Sequence, residues 1–452
     1  MGGRVFFGIE PLDEALEGLG PGSLILITGD PGSGKTVLGV QFVHEGCRAG
    51  ERCLALTVGY PERKFTLQAA SLHRDMDRFV ESERLKVRSL EIPGSPVEAE
   101  MALFTVADEI EQFKPDRVFI DGLSQVLAVL GVSSAQRILS QRLLTSAEQA
   151  GATVMATIVP DALERPMLLG VEFLADAVVD LSMSEGERGG LVRKAKITKV
   201  RMASPKEPVV TFSISARRGG ARVITLPHSL DTEEPLDLIS TGIEGLDEML
   251  GGGLPRSSLN ILEGPVGSGK TVLGVSLAVS AAKMGRRSLI VSFETSKGTV
   301  LKLARSFGMT DGDEVGVVSV VPQALGPVEQ FELIEELVED TGSEFVLVDS
   351  LTAIEHAVGR EGLIDFTRYL QWMAKERGIT ILGTQLGSGH FEKDTRAASL
   401  YADTIILLKL VERDGVLRRE ATVLKSRKLG VQGVRYLMEF SEGRIRFLRE
   451  RQ

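Results

Sequence analysis

The chain contains few of the residues that several classes of protein require. Only two cysteines, Cys47 and Cys53, and five histidines occur in 452 residues, which excludes a disulfide scaffold and leaves no histidine cluster typical of a metal site. No apolar run reaches the roughly 18 residues of a membrane span. The N-terminus also lacks the charged and then apolar segments of a signal peptide. We therefore expect a cytoplasmic protein without a membrane anchor.

An excess of positive charge is also absent. The sequence has 52 Lys and Arg against 62 Asp and Glu, a net charge of −10. Nonspecific binding to nucleic acid depends on Lys and Arg that neutralise phosphates. We therefore expect nucleic acid not to be a partner, although a local basic patch stays compatible with this balance.

Two phosphate-binding loops are present. The pattern G-x-x-x-x-G-K-[ST] occurs twice, each time after an apolar run. Its glycines let backbone N–H groups wrap a phosphate, its Lys neutralises the β/γ charge, and its Ser or Thr hydroxyl ligates Mg²⁺. The first loop consists of Gly29, Asp30, Pro31, Gly32, Ser33, Gly34, Lys35 and Thr36, and the second of Gly264, Pro265, Val266, Gly267, Ser268, Gly269, Lys270 and Thr271. The sequence thus predicts ATP and Mg²⁺ at two sites.

The loops belong to a longer internal repeat. Residues 7–14 return as 241–248, and residues 117–124 return as 345–352, at nearly the same separation along the chain. A repeat of this length is a whole domain. We expect an N-terminal domain at 1–225, a linker at 226–239 with acidic residues and a proline, and a C-terminal domain at 240–452.

Short apolar runs alternate with amphipathic stretches in each copy, which indicates an α/β fold. Continuous apolar strands between helices favour a mostly parallel sheet covered by helices on both faces. Ligands of such sheets bind at the carboxyl ends of the strands, where both loops fall. The predicted strands of the second copy are 259–263, 288–294, 316–321, 345–349 and 380–385, with helices at 328–340 and 363–377.

Two aspartates are candidates for the metal site. Asp121 and Asp349 each end an apolar strand, where a carboxylate can hold Mg²⁺, usually through water, opposite Thr36 or Thr271. The alternative is a carboxylate that caps the next helix.

The two copies differ in residues that hydrolysis requires. Glu294 ends a predicted strand next to the expected γ-phosphate, where it can orient water, and Gln385 ends another strand. The first copy has no carboxylate at the former point and Ile158 at the latter. We therefore expect the second site, with Lys270 and Glu294, to be catalytic and the first to bind or retain nucleotide. The alternative is that a nearby residue such as Glu62 replaces the missing carboxylate.

A basic pair recurs late in each copy. Lys199 and Arg201 in the first copy match Lys425 and Arg427 in the second. Their i, i+2 spacing on predicted strands places both side chains of a pair on one face. We expect phosphate contacts from these residues, often made in trans between subunits, with ordinary surface charge as the alternative.

These features together resemble the KaiC family of the RecA/DnaB superfamily. The Thr-Gly-Ile-Glu-Gly-Leu-Asp segment at 241–247, its counterpart at 7–13, both loops and both Asp-ended strands support the resemblance, which covers nearly the whole chain. It implies two tandem RecA-like P-loop NTPase domains that hydrolyse ATP. It also implies a homo-oligomeric double ring, a hexamer with ATP between protomers, whose second ring autophosphorylates on Ser and Thr.

The resemblance assigns roles to individual positions. Glu294 matches the first of two adjacent catalytic glutamates of the family, and Thr295 replaces the second. In the first copy we align Val58 and Gly59 with these two positions. The two Lys/Arg pairs match the family's basic residues that act in trans.

Two departures concern regulation. Ser399 stands at the Ser position of the family's phosphorylated Ser-Thr pair, but Leu400 replaces the Thr. The sequence ends at Gln452, soon after a predicted last strand at 444–448, so we expect the long C-terminal tail of the family's clock proteins to be absent. The resemblance therefore favours a KaiC-like protein, and these two departures argue against circadian timing.

Three functions are compatible with these features. The first is an ATP-driven oligomeric switch that acts through regulatory protein partners not identified by the sequence, with possible autokinase activity. The second is a DNA-dependent motor, because RecA-type folds support that function too; residues 387–394, a candidate pore loop, contain a single Lys. The third is a non-enzymatic ring in which ATP only maintains assembly.

Overall fold

A computed structural model shows two compact units, which we describe separately. The first contains the elements from Glu10 to Val223 and the second those from Leu238 to Arg449. The structure describes residues 6–16, 19–185, 191–201, 209–215, 219–223, 237–322, 325, 327–387, 400–413, 415–426, 433–441 and 443–449.

The first unit has nine strands and nine α-helices among its described residues. The strands are β1 Leu24–Gly29, β2 Cys53–Val58, β3 Leu85–Leu90, β4 Arg117–Asp121, β5 Thr153–Ile158, β6 Ala177–Glu185, β7 Leu191–Val200, β8 Val209–Ser215 and β9 Gly220–Val223. The helices are α1 Glu10–Ala15, α2 Lys35–Arg48, α3 Glu62–Leu72, α4 Met76–Glu81, α5 Pro96–Phe113, α6 Leu123–Leu127, α7 Val132–Ile138, α8 Thr145–Ala150 and α9 Arg165–Leu174. A π-helical turn, Leu139–Leu144, joins α7 to α8, and a 3₁₀ turn, Pro160–Ala162, precedes α9.

The second unit repeats this order. Its strands are β10 Leu238–Ile239, β11 Leu254–Pro255, β12 Ser258–Gly264, β13 Ser288–Ser292, β14 Val315–Ser319, β15 Phe345–Asp349, β16 Thr380–Leu386, β17 Thr404–Arg413, β18 Val416–Ser426, β19 Arg435–Ser441 and β20 Arg444–Arg449. Its helices are α10 Leu246–Met249, α11 Lys270–Lys283, α12 Lys297–Ser306, α13 Pro327–Thr341 and α14 Leu351–Glu376.

Each unit is built on one nine-stranded sheet. The strand orders are β3-β2-β4-β5-β1-β6-β7-β8-β9 and β14-β13-β15-β16-β12-β17-β18-β19-β20. The loop strands β1 and β12 pair in parallel with both neighbours, whereas the last strands of each sheet pair antiparallel. The predicted α/β fold with two mostly parallel sheets is thus confirmed.

Helices cover both faces of the first sheet, as its apolar strands require. All six residues of β1 are buried. Ile25 and Ile27 belong to one apolar cluster, whereas Leu24 and Leu26 belong to another. Side chains alternate between the faces of a strand, so this strand contributes to two cores. Among the described residues, no helix is long and apolar enough to cross a membrane.

A buried arginine connects three parts of the first unit. Arg117, at the start of β4, is 3% exposed. Its guanidinium donates to the Glu51 carboxylate, to the Phe6 carbonyl at 2.6 Å and to the Phe42 carbonyl at 2.9 Å. It also lies 4.9 Å from the centre of the Phe42 ring. These contacts hold the segment before α1 against α2, the helix that follows the first phosphate loop.

Two stacked histidines fill the space beside α2. The rings of His44 and His73 lie 3.7 Å apart and nearly parallel, and both residues are buried. His44 Nε2 contacts Asp75 Oδ1 at 2.9 Å, while His73 Nε2 has no hydrogen-bond partner in the described part of the chain. Burial, followed by the neighbouring His44, lowers the pKa of His73 to about 4.

This low pKa predicts that acid destabilises the first unit. The pKa of His73 rises to its ordinary value near 6.5 on unfolding, so the unfolded chain binds the proton more readily. Stability should be highest above pH 6.5 and fall towards pH 4, with a slope of at most about 1.4 kcal/mol per pH unit from this group. The measurement is the free energy of unfolding in urea at several pH values, with thiol labelling as the readout. Cys47 and Cys53 are free, buried and both in this unit, so their labelling reports its unfolding.

A His73→Gln variant isolates the contribution of the imidazole from those of nearby carboxylates. We expect its stability to depend less steeply on pH than that of the wild type across this window. Equal slopes in the two proteins would show that His73 does not titrate on unfolding.

Candidate functional site

Both phosphate loops connect a central strand to a helix. The glycine before each loop lysine, Gly34 or Gly269, has a positive φ of 110° or 96°. A Cβ on Gly34 would lie 3.1 Å from Ile214 Cδ1, and one on Gly269 would lie 3.0 Å from Met438 Cε. Conformation and close packing thus both require glycine here. The N-termini of α2 and α11 point their free N–H groups into the loops, as anion sites require.

The two loop lysines have matching positions. Lys35 Nζ donates to two carbonyl oxygens of its own loop, both at 2.7 Å. Lys270 Nζ donates to the corresponding carbonyls at 2.8 and 2.9 Å. Burial lowers the pKa of both lysines. Each ammonium group is therefore held across its loop, where a nucleotide phosphate would replace the carbonyls as its partner.

The second site has a carboxylate with one unused oxygen. Asp349 is 1% exposed, and its Oδ1 accepts hydrogen bonds from Thr271 at 2.9 Å and from Thr384 at 2.5 Å. Its Oδ2 is buried and has no hydrogen-bond partner among the described residues. Burial raises the pKa of this carboxyl. A buried, unpaired carboxylate oxygen beside a loop threonine fits a divalent cation, and Mg²⁺ prefers such oxygen ligands.

In the first site, three hydroxyl groups donate to the corresponding carboxylate, and both of its oxygens have a partner. Asp121 accepts from Thr157 at 2.7 Å through one oxygen, and from Thr36 at 2.8 Å and Tyr60 at 2.6 Å through the other. Burial, followed by the adjacent Asp121, raises the pKa of Tyr60 above its usual range, so the phenol stays a donor. Tyr60 thus takes up an acceptor position of Asp121, whereas no described residue donates to Asp349 Oδ2.

Glu294 lies at the edge of the second site. The predicted strand at 288–294 ends earlier, at Ser292, so Glu294 is exposed on the loop beyond β13. Its Oε2 accepts from Ser350 Oγ at 2.9 Å, and Ser350 follows the aspartate Asp349. The contact directs the Glu294 carboxylate towards the space in front of the phosphate loop.

The strand pairing corrects, by one residue, which positions of the first copy match Glu294 and Thr295. Thr57 pairs with Asp121 in the first sheet, and Ser292 pairs with Asp349 in the second. Counted from these pairs, Gly59 and Tyr60 correspond to Glu294 and Thr295. The sequence alignment with Val58 and Gly59 was therefore wrong by one position, and Tyr60 stands where the second of the two glutamates would be.

Each phosphate loop opens into a cavity, and the two differ in size and charge. The second has a volume of about 880 Å³ and the first about 400 Å³. Glu294 and Asp349 line the second, whereas Asp121 is the only carboxylate that the described residues contribute to the lining of the first. Glu62 instead lies 3.8 Å from Arg88 and is not among the described residues that line this cavity.

The basic pairs do not line the cavities of their own units, as far as the chain is described. Lys199 Nζ donates to the Glu172 and Phe173 carbonyls at 2.8 and 3.1 Å, and Arg201 donates to the latter at 3.0 Å. These carbonyls lie at the end of α9. Lys425 Nζ lies 3.4 Å from the carbonyl oxygen of Leu400. Arg427, its expected partner, lies outside the described residues, as does Ser399.

Several contacts were not foreseen. Thr384 binds Asp349 and lines the cavity, whereas the neighbouring Gln385 is 2% exposed and its Oε1 has no partner in the described structure. The recurrence of a threonine at this point in both copies, as Thr157 and Thr384, was the available signal. Arg419 also lines the second cavity, and its guanidinium lies 5.1 Å from the Phe440 ring; no motif indicated it.

Two mostly parallel sheets, each with a glycine-rich loop, an anchored lysine and a strand-end aspartate paired with the loop threonine, define a tandem P-loop ATPase. A family model described as "ATPase: KaiC" matches residues 5–227 and again residues 239–452, and the chain belongs to this family.

Similar proteins agree with this assignment. The circadian clock oscillator protein KaiC of Synechococcus elongatus is 28% identical over 441 residues, which cover 93% of this chain and 84% of the relative. The protein of the same name from Thermosynechococcus vestitus is 27% identical, with the same two coverages. The circadian clock protein KaiC3 of Synechocystis sp. is 27% identical over 93% of this chain and 88% of its own length.

Proposed function

We propose that this protein is a Mg²⁺-dependent, ATP-driven oligomeric switch that turns over ATP at its second site and retains nucleotide at its first. The contrast between the two aspartates supports this division of tasks between the two sites most strongly. Among the described residues, Asp349 keeps a buried oxygen without a hydrogen-bond partner, while both oxygens of Asp121 accept hydrogen bonds. Glu294 adds a carboxylate to the second cavity alone.

The residues of the second site then have distinct tasks. Lys270 exchanges its loop carbonyls for the phosphates and neutralises their charge. Thr271 and Asp349 would hold Mg²⁺, which would neutralise part of the negative charge on the phosphates. Glu294, positioned by Ser350, orients the attacking water and accepts its proton.

The positions of the basic pairs support a ring with nucleotide between protomers. Lys199 and Arg201 bind carbonyls at the end of α9 and do not line the cavity of their own unit. Cations that stabilise phosphoryl transfer are often supplied by another subunit. We propose that both pairs act in trans on a neighbouring copy, in a homo-oligomer that we expect to be hexameric. The output of the switch would be recognition by protein partners.

The test of this function uses ATP labelled on the γ-phosphate, with label released as free phosphate separated from label retained on the protein. Release alone would establish an ATPase whose output is conformational. Retained label would add autokinase activity, and a Ser399→Ala variant would then show whether that serine is the acceptor. Neither release nor retention, with nucleotide bound, would favour a ring that only holds ATP and would overturn the proposal.

Metal dependence should differ between the two sites. Asp349→Asn removes the negative charge of this carboxylate and so weakens its attraction for a cation. The Mg²⁺ concentration for half-maximal turnover should therefore rise about 10- to 100-fold. The matched change Asp121→Asn should shift it little, because the first site contributes little turnover. The measurement is phosphate release against Mg²⁺ concentration. A larger shift in Asp121→Asn than in Asp349→Asn would reverse the assignment of the two sites.

A further inference from the structure

A second cavity of the second unit lies away from the phosphate loop. It has a volume of about 320 Å³, and Ser276, Ser280, Lys283, Arg444 and Arg446 contribute to its lining. None of the residues that line it lines the cavity in front of the phosphate loop. It borders the last turns of α11, whereas the loop precedes the first turn of the same helix.

The matching place in the first unit is filled. The helices α2 and α11 are both 14 residues long and begin at the loop lysine, so Gln41 and His44 correspond to Ser276 and Val279. In the first unit Gln41 Oε1 accepts from Ala221 N at 2.8 Å, and His44 stacks on His73. Smaller side chains at both helix positions leave this space empty in the second unit.

The sequence differences between the two units also bring cations to the cavity. Gly220 pairs with Ser215 in the first sheet and Arg444 pairs with Ser441 in the second, so Arg444 takes the place of a glycine. A Cβ on Gly220 would lie 2.6 Å from Gln41 Oε1. A side chain at this position is therefore compatible with the smaller Ser276 of the second unit but not with Gln41, and Arg444 contributes to the lining of the cavity there.

The charges around the cavity are unbalanced. Lys283, Arg444 and Arg446 are cations, and Glu244 is the only carboxylate among the described lining residues. Glu244 pairs with Arg446 at 3.1 Å, and Lys283 Nζ donates to the Phe307 carbonyl at 3.0 Å. No carboxylate of the described chain lies within ion-pair distance of Arg444. Lys283 in the last turn of α11 also offsets the negative end of the helix dipole.

We propose that this cavity binds a compact phosphorylated ligand at a site separate from the nucleotide sites. Arginine guanidinium groups match phosphate oxygens in a two-point geometry, and Ser276 adds a hydroxyl group nearby, whereas the Ser280 hydroxyl already donates to the Thr241 carbonyl at 2.7 Å. The volume is at the lower end of the range for small-molecule sites, which suits a phosphate ester smaller than ATP. The proposal goes beyond ATP turnover and does not depend on it.

The test is calorimetric titration of the full chain with both phosphate loops saturated by ADP and Mg²⁺. The probes are inorganic phosphate and fructose 1,6-bisphosphate, so that binding of free phosphate is distinguished from binding of a phosphate ester. We expect saturable binding of the ester, weakened about tenfold or more in Arg444→Gln because a charge-assisted contact is lost. Arg222→Gln is the matched control, because Arg222 has the position of Arg446 in the first unit, and its affinity should equal that of the wild type.

A second variant gives the second unit the type of residue that the first unit has at the matching helix position. Ser280→Glu places a carboxylate at the position of Glu45 and should abolish binding of the ester by repulsion. Thermal unfolding verifies that each variant is folded. Absence of saturable binding in the wild type, or equal affinity in Arg444→Gln and wild type, would overturn the proposal. Binding of free phosphate with the same dependence on Arg444 would retain the site and assign it to the inorganic ion.

Discussion

Replacement of Glu294 by Gln should lower ATP turnover by about 100- to 1,000-fold, within the range for loss of a general base. The amide keeps the size of the side chain and can still contact Ser350 Oγ, so the geometry of the cavity should persist. What is lost is the ability to accept a proton from water. Phosphate release at saturating ATP is the measurement, and ATP affinity should change little because Lys270 and the loop are intact.

Glu62→Gln provides the matched control in the first unit. Glu62 begins α3 shortly after β2, although Gly59 has the position of Glu294. It is paired with Arg88 and is not among the described residues that line the cavity. Its replacement should leave turnover within about twofold of the wild type, as expected for an exposed ion pair. Unchanged turnover in Glu294→Gln together with a loss in Glu62→Gln would transfer catalysis to the first site.

The largest loss of stability should follow replacement of Arg117 by Leu. The change leaves the Glu51 carboxylate and the carbonyls of Phe6 and Phe42 without their donor. Breaking a buried ion pair from one side costs about 3–5 kcal/mol. We expect the free energy of unfolding of the first unit to fall by this amount, measured by urea unfolding with thiol labelling of Cys47 and Cys53.

Arg142→Leu is the control for the loss of a charge. Arg142 is 41% exposed and pairs with Asp108 at 2.9 Å on the surface of the same unit. Exposed ion pairs contribute about 0–1 kcal/mol, so its unfolding should shift by no more than that. Equal effects of the two replacements would mean that the Arg117 contacts contribute no more than a surface pair.

Features encoded by local patterns were predictable from the sequence. The phosphate loops, the strand-end aspartates Asp121 and Asp349, and the parallel sheets all follow from short motifs and apolar runs. The contacts that distinguish the two sites join residues far apart in the chain. Tyr60 reaches Asp121 across 61 positions, and no periodicity or motif links them. Gln385 shows a second limit of the sequence analysis. Adjacent residues of a strand point to opposite faces, so an error of one position selected Gln385 in place of Thr384.

The hydroxyl group of Tyr60 has a wider consequence. Its proton lies on Asp121, whereas the equivalent aspartate of the second unit has an open edge, a buried oxygen without a hydrogen-bond partner among the described residues. We therefore expect the phenol to compete with a divalent ion. Two halves of one polypeptide would then respond unequally to the same change in free magnesium. The half with the open edge would follow the ion concentration, while the half closed by the phenol would stay nearly constant and serve as an internal reference.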